Sequence, residues 1–138
     1  MLSIDKITAS TEETTLLAES LASNFKPGSI YGFIGDLASG KTTFIKGLLL
    51  GMQFNGMVNS PTFTLINEYN ADQKVIHIDC YREQDISRWV QIGISEYFDS
   101  SNIVLIEWPE IIEELLPEAT KYIKFENIEN NKRRIRTI

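Results

Sequence analysis

The chain has 138 residues, of which 43% are hydrophobic and 23% charged, a composition typical of a folded domain that excludes an intrinsically disordered one. Thirteen basic and nineteen acidic residues give a formal net charge of −6, which disfavours a general nucleic-acid binder because the overall field repels phosphate. The length predicts one domain over residues 1–138, and the single cysteine, Cys80, excludes an intrachain disulfide.

The first half of the chain predicts a strand, a helix, a second strand, a loop and a second helix. Leu2 and Ile4 suggest a short first strand, and residues 10–13 form a capping box that opens a helix ending before residues 26–28. Residues 30–34 are a short apolar run, which predicts a strand. Apolar residues at helical spacing follow a glycine-bounded loop: Phe44, Ile45, Leu48 and Leu49.

The second half predicts a hairpin, short helices and further strands. Strands are expected at 62–69 and 74–79, and Asp85 can cap a helix that Gly93 ends. Residues 103–106 are unbroken and largely β-branched, as in a strand covered on both faces. An alternating segment around Ile123 and Phe125 is expected to pair with the last one, 133–138. The sum predicts an α/β domain whose central sheet is mainly parallel, with antiparallel additions and flanking helices.

The loop between the second strand and the second helix carries the most specific motif. Residues 35–42, GDLASGKT, fit the pattern G-x-x-x-x-G-K-[ST] in the required strand–loop–helix context. Such a loop points successive N–H groups and a helix N-terminus at one centre, which suits the phosphates of a nucleoside triphosphate. Lys41 is expected to reach the β- and γ-phosphates, Thr42 to ligate Mg²⁺, and Thr43 to support the phosphate contacts.

Two carboxylates are expected to complete a magnesium site. Asp79 and Glu107 each end an apolar strand, and the carboxyl ends of neighbouring parallel strands lie close to the phosphate loop. We expect both to bind the metal or position water. His77 shares a face with Asp79, but we interpret this lone histidine as a hydrogen-bonded packing residue outside the site.

Four further features leave alternatives open. Arg82 can contact phosphate or a partner, or remain solvated, and Trp108 either packs at a strand end or lies near the nucleotide. Residues 60–64, SPTFT, form either a loop that orders against a γ-phosphate or a strand entry capped by hydroxyls. The basic cluster 132–136 is either a solvated strand or a contact for nucleotide, partner or RNA.

Five motifs in series resemble those of the TsaE family. They are GDLASGKTT at 35–43, SPTFTL at 60–65, HIDCYR at 77–82, GISEYF at 93–98 and IVLIEWPE at 103–110. The resemblance covers nearly the whole chain and implies a P-loop NTPase-like fold. It also implies a slow, Mg²⁺-dependent ATPase that joins TsaB and TsaD in threonylcarbamoyladenosine (t6A) modification of tRNA position 37, so that tRNA is contacted indirectly through the complex. The family's role and the absence of a signal peptide or long apolar run predict a cytoplasmic protein without membrane contact.

The resemblance also implies roles for individual residues. By motif matching, Lys41, Asp79 and Glu107 are the catalytic candidates, and Thr42, Asp79 and Glu107 the metal candidates. Thr11 and Lys132 match nucleotide contacts of the family, and residues 60–64 match a switch. The nucleotide-binding set is therefore Thr11, Gly35, Asp36, Leu37, Ala38, Ser39, Gly40, Lys41, Thr42, Thr43 and Lys132. Ala38 and Ser39 stand where family members commonly carry Gly-Ala.

Other classes of nucleotide-binding protein fit the sequence less well. A GTPase needs an Asn-Lys-x-Asp guanine reader, and the nearest string, residues 131–134, lacks the carboxylate. A small-molecule kinase shares the loop and the magnesium but usually adds an arginine-rich lid, and no such segment is evident. A nucleotide-gated binding module with negligible turnover carries the same motifs as an ATPase, so only an assay of phosphate release separates the two.

Overall fold

The computed structural model describes residues 2–58, 65–99 and 101–138. Within these ranges the strands form one seven-stranded sheet in the order β1-β7-β6-β2-β5-β4-β3. Their bounds are β1 Asp5–Thr8, β2 Ile30–Ile34, β3 Ile66–Asn70, β4 Lys74–Asp79, β5 Asn102–Glu107, β6 Lys121–Ile128 and β7 Lys132–Thr137.

The centre of the sheet is parallel and its flanks are antiparallel. Strand β2 pairs in parallel with both β5 and β6, and β4 pairs in parallel with β5. Strand β3 joins β4 as an antiparallel hairpin, while β6, β7 and β1 form antiparallel pairs on the other flank. The predicted mainly parallel sheet with antiparallel additions is confirmed. Its topology brings the carboxyl ends of β2, β4 and β5 to one edge.

Helices cover both faces of the sheet, as predicted. The α-helices of the described residues are α1 Thr11–Leu21, α2 Lys41–Gly51 and α3 Ile86–Ile92. Side chains of α1 and α2 pack with Ile103 and Leu105 in one buried cluster. Val104 and Ile106 face a second cluster, which includes Trp89 of α3. Strand β5 is therefore buried on both sides, which explains its unbroken apolar sequence.

The helix signals in the sequence correspond to observed caps. Ser10 Oγ accepts a hydrogen bond from the backbone N–H of Glu13, and the Glu13 carboxylate accepts one from the N–H of Ala9. Asp85 caps α3, and Gly93 ends it with a left-handed φ of 80°. Across the described part of the chain, none of the helices is long and apolar enough to cross a membrane.

The first strand begins later than predicted. Leu2 and Ile4 are buried against the core, but the strand itself runs over Asp5–Thr8. Three of its four residues are exposed because β1 lies at the edge of the sheet and pairs only with β7. An exposed edge strand has few apolar residues in alternation with polar ones. The sequence pattern therefore predicted a strand at the buried residues Leu2 and Ile4, which precede β1.

Candidate nucleotide-binding site

The glycine-rich loop connects the carboxyl end of β2 to the first turn of α2. Gly40 precedes the helix with a left-handed φ of 102°, a conformation that glycine adopts without steric cost. A Cβ atom at this position would lie 3.0 Å from Cδ of Arg133. Gly40 has no side chain that could cap the start of α2, so the N–H groups of the first turn remain available to an anion.

Ala38 adopts the strained conformation that the loop requires. Its φ is 60°, which costs about 1 kcal/mol for an L-residue compared with glycine. The Ala38 carbonyl accepts a hydrogen bond of 3.1 Å from Nη2 of Arg133, a residue of β7. The terminal strand therefore holds the loop in place, and this contact helps to offset the local strain.

Lys41 lies at the start of α2 and is almost fully buried. Its Nζ donates a hydrogen bond to the Gly35 carbonyl and lies 3.9 Å from the centroid of the Trp108 ring. Burial lowers the pKa of the Lys41 ammonium, while the carboxylates of Glu107 and Asp79 act in the opposite direction. Phosphate oxygens beside Nζ would favour the charged form and raise its pKa again.

Two carboxylates lie at the same edge of the sheet, as predicted. Asp79 is directly opposite Glu107 in the parallel register of β4 and β5. Thr42 Oγ1 lies 3.3 Å from both carboxylate oxygens of Glu107, and Asp79 Oδ1 accepts a hydrogen bond from the N–H of Tyr81. The strand ends therefore bring both acids to the loop, and Glu107 into contact with Thr42.

These oxygen donors fit a magnesium ion that is bound together with a nucleotide. No group of three or more His, Cys, Asp or Glu side chains able to hold a metal occurs among the described residues. Mg²⁺ in nucleotide sites usually takes only one or two protein carboxylates, with phosphates and water as its other ligands. Thr42, Glu107 and Asp79 supply such a partial set, and all three line the cavity described next.

The cavity beside the loop has a volume of about 530 Å³. Most of the predicted nucleotide-binding and metal residues line it. Its lining comprises Leu37, Ala38, Ser39, Gly40, Lys41, Thr42, Thr43, Asp79, Tyr81, Arg82, Glu107, Trp108 and Arg133. Among the predicted residues, Gly35, Asp36, Thr11 and Lys132 are not part of this lining.

Thr11 and Lys132 stay predictions as nucleotide contacts. Thr11 opens α1, and Lys132 is an exposed residue opposite Ile128 at the start of β7. The neighbouring Arg133 is the residue of the basic cluster that reaches the loop. Adjacent side chains of a strand lie on opposite faces of the sheet. The sequence alone did not show whether Lys132 or Arg133 lies on the side of the cavity.

The two aromatic residues at the cavity pack against each other. The rings of Tyr81 and Trp108 have centroids 5.0 Å apart, and Trp108 has a left-handed φ of 59°. This conformation is unusual for a bulky residue and marks a constrained strand end. Trp108 thus packs at a strand end, one of the two alternatives that the sequence left open, and Lys41 Nζ lies over its ring. That the ring lies near the nucleotide stays a prediction.

His77 is a buried, hydrogen-bonded residue that does not line the cavity, as the sequence interpretation expected, but its partner is a residue of the site. It is fully buried, and its Nε2 lies 2.7 Å from Oε2 of Glu107. The shared face of His77 and Asp79 was the available signal, but the partner, Glu107, is 30 residues away on the next strand. The predicted switch at residues 60–64 lies outside the described residues.

Comparison with known proteins gives one family throughout. The model of the family "Threonylcarbamoyl adenosine biosynthesis protein TsaE" matches residues 8–135. The tRNA threonylcarbamoyladenosine biosynthesis protein TsaE of Bacillus subtilis strain 168 is 40% identical over 129 residues, which cover 93% of this chain and 80% of that protein. The TsaE of Treponema pallidum strain Nichols is 32% identical over 129 residues, covering 94% of this chain and 96% of that protein.

A solved structure has the same fold. The crystal structure of YdiB from Bacillus subtilis superposes with a TM-score of 0.84 at 34% sequence identity. The match covers 99% of this chain and 84% of that one. The match therefore extends over the whole of the sheet described above.

Proposed function

This chain belongs to the TsaE family, and from that premise we propose that it is an ATP-binding and ATP-hydrolysing subunit. In this proposal residues 1–138 form one P-loop ATPase domain that acts in the cytoplasm with TsaB and TsaD. The three proteins together carry out t6A modification of tRNA position 37, and this chain contacts tRNA only through the complex.

One observation carries the proposal. The loop at 35–40 opens directly into the N-terminus of α2, where Lys41 and Thr42 lie beside the Glu107 carboxylate. This arrangement offers main-chain donors, an ammonium and hard oxygen ligands within one cavity. Such a set matches the triphosphate of a magnesium nucleotide, and the net charge of −6 makes a local device of this kind necessary.

The residues that line the cavity have different roles in this proposal. The loop amides and Lys41 bind and orient the phosphates, which brings the γ-phosphate to the carboxyl ends of β4 and β5. Thr42 and Glu107 would hold Mg²⁺, which when bound neutralises charge that develops on the phosphates. Asp79 lies next to Glu107 on the neighbouring strand, so it can orient water or assist with the metal.

Dependence on partners is part of the proposal. We expect ATP and Mg²⁺ to bind to the isolated chain, hydrolysis by the chain alone to be slow, and TsaB and TsaD to complete the cycle. Residues 60–64 are proposed to act as the segment that responds to the γ-phosphate. In many nucleotide-binding proteins such a segment is ordered by the γ-phosphate and released on hydrolysis, which couples hydrolysis to partner binding.

The test is co-purification of this chain with TsaB and TsaD in ATP, in ADP and without nucleotide. Phosphate release is measured in parallel, with the chain alone and with both partners. The proposal expects partner retention that depends on the nucleotide and phosphate release that rises when the partners are added. Retention that is independent of nucleotide, together with no phosphate release in any mixture, would contradict it. Phosphorylation of a small acceptor by the isolated chain would instead favour a kinase.

Arg133→Ala is expected to lower ATP affinity about tenfold or more. The change removes a charged donor from the Ala38 carbonyl and a positive charge from the cavity wall. The hydrogen bond itself is exposed and contributes little, so most of the expected loss comes from the missing charge beside the phosphates and from a less ordered loop. A factor of ten in affinity corresponds to about 1.4 kcal/mol. Isothermal titration calorimetry with ATP measures the effect.

Arg134→Ala is the matched control for this variant. Arg134 is the next residue of β7, but its guanidinium pairs with Asp5 on the exposed edge of the sheet. Exposed pairs of this kind contribute little, so ATP affinity should stay close to that of the unaltered chain. Equal affinities for the two variants would show that Arg133 does not support the loop.

A further inference from the structure

His77 lies within β4, and its imidazole is fully buried. Its Nε2 is 2.7 Å from Glu107 Oε2, the distance of a strong hydrogen bond. Thr42 Oγ1 lies 3.3 Å from each oxygen of the same carboxylate. Glu107 is therefore held between a histidine of the neighbouring strand and the second residue of α2.

A hydrogen bond donated by His77 to Glu107 requires one particular tautomer of the ring. An ionised carboxylate only accepts hydrogen bonds, so the nitrogen that faces it must be an N–H donor. A hydrogen bond from His77 to an ionised Glu107 therefore requires the tautomer with a proton on Nε2. Oε2 of Glu107 then accepts a hydrogen bond from the histidine, whereas Oε1 makes no contact with the ring and lies 3.3 Å from Thr42 Oγ1.

A packing role alone does not account for a histidine at this position. Val75 on the same strand and Leu105 opposite it on β5 are aliphatic and fully buried, while Asn67 lies opposite His77 on β3. The other ring nitrogen, Nδ1, is buried without a hydrogen-bond partner among the described residues. A buried polar atom without a partner lowers stability in a way that an aliphatic side chain would not, so packing alone would favour an aliphatic residue at this position.

We propose that His77 is a positioning residue, which fixes the orientation of the Glu107 carboxylate so that one oxygen is presented to a divalent cation bound with the nucleotide. The inference rests on the proposed function, because Glu107 is a metal ligand only in that account. Groups that hold metal-ligating side chains in place typically contribute 10- to 100-fold to metal affinity.

Three substitutions separate positioning from packing. In His77→Gln, the amide nitrogen lies about as far from Cα as Nε2 and can donate to Glu107. In His77→Asn, the amide nitrogen lies only about as far as Nδ1, so it keeps a polar group but not the contact. His77→Leu fills the space without any donor. A positioning role predicts that Gln rescues function, whereas a packing role predicts that Leu performs as well as Gln.

The first readout is the protonation of the ring nitrogens. His77 is the single histidine of the chain, so the imidazole signals of the ¹⁵N-labelled protein belong to it without ambiguity. Nitrogen–proton correlation NMR near neutral pH should show a proton on Nε2, and Glu107→Gln should shift the Nε2 signal. If Nδ1 carries the proton and Nε2 carries none, the inference is wrong, whatever the result of the nucleotide-binding measurements.

The second readout is the Mg²⁺ dependence of nucleotide binding. A fluorescent ATP analogue is titrated in EDTA and at a series of Mg²⁺ concentrations, with thermal unfolding measured for each variant. All variants should bind the analogue equally in EDTA. His77→Asn and His77→Leu should need at least about tenfold more Mg²⁺ than the unaltered chain, while His77→Gln should stay within about threefold of it.

The outcomes distinguish this inference from the function on which it rests. If Asn and Leu keep the Mg²⁺ dependence of the unaltered chain and change only its unfolding temperature, His77 is a packing residue and the inference fails alone. If the unaltered chain binds no ATP analogue at any Mg²⁺ concentration, the proposed function is wrong, and so is the inference that rests on it.

Discussion

Lys41→Ala is expected to reduce ATP turnover by at least about a hundredfold. The ammonium is the positive charge at the start of α2, and it lies nearly buried among Gly35, Trp108 and the nearby acids. Removing one preorganised electrostatic contact to developing charge typically lowers the rate by a factor of about 10²–10³. Phosphate release in the presence of TsaB and TsaD measures the loss.

Lys46→Ala is the matched control, because it makes the same substitution on the same helix. Lys46 is an exposed residue of α2 and lines no part of the cavity. Its turnover should equal that of the unaltered chain. Robust hydrolysis by Lys41→Ala, with both variants folded, would contradict the role of the loop.

Glu107→Ala is expected to lower turnover by at least about a hundredfold while ATP still binds in EDTA. The carboxylate contacts Thr42 at the point where magnesium would be held, but it takes no part in the main-chain cradle of the loop. Loss of this ligand should remove the Mg²⁺ dependence of binding and lower the rate by about 10²–10³, which phosphate release and titration measure. Glu107→Gln should behave alike, because it keeps the shape of the side chain and removes its charge.

Glu114→Gln controls for the change in net charge. Glu114 is exposed in the short helical segment Pro109–Leu115 and does not line the cavity. Its turnover and its Mg²⁺ dependence should match those of the unaltered chain. If Glu107→Gln also retained both, Glu107 would be a structural residue and the magnesium site would have to lie elsewhere.

The fold could be predicted where its signals are local. The glycine-rich loop, the caps at Ser10 and Asp85, and the unbroken strand at 103–106 each depend on a few adjacent residues, and each is observed. The predicted start of β1 was too early, because an exposed edge strand has few apolar residues in alternation with polar ones. Local chemistry therefore predicts the central elements better than the edge of the sheet.

The site could be predicted only in part, because sheet register joins residues that are far apart in the sequence. Asp79 and Glu107 were found since each ends an apolar strand, a feature visible in the sequence. The contact between His77 and Glu107 depends on the pairing of β4 with β5, which no local pattern encodes. The same holds for Arg133, whose contact with Ala38 spans 95 positions of the chain.

A crystal structure of this chain with a non-hydrolysable ATP analogue and Mg²⁺ tests the central claim most directly. The account predicts the phosphates on the N–H groups of residues 37–43, with Lys41 Nζ beside them and the ion near Thr42 and Glu107. The nucleotide bound at another surface, with the loop making no contact to it, would contradict the account.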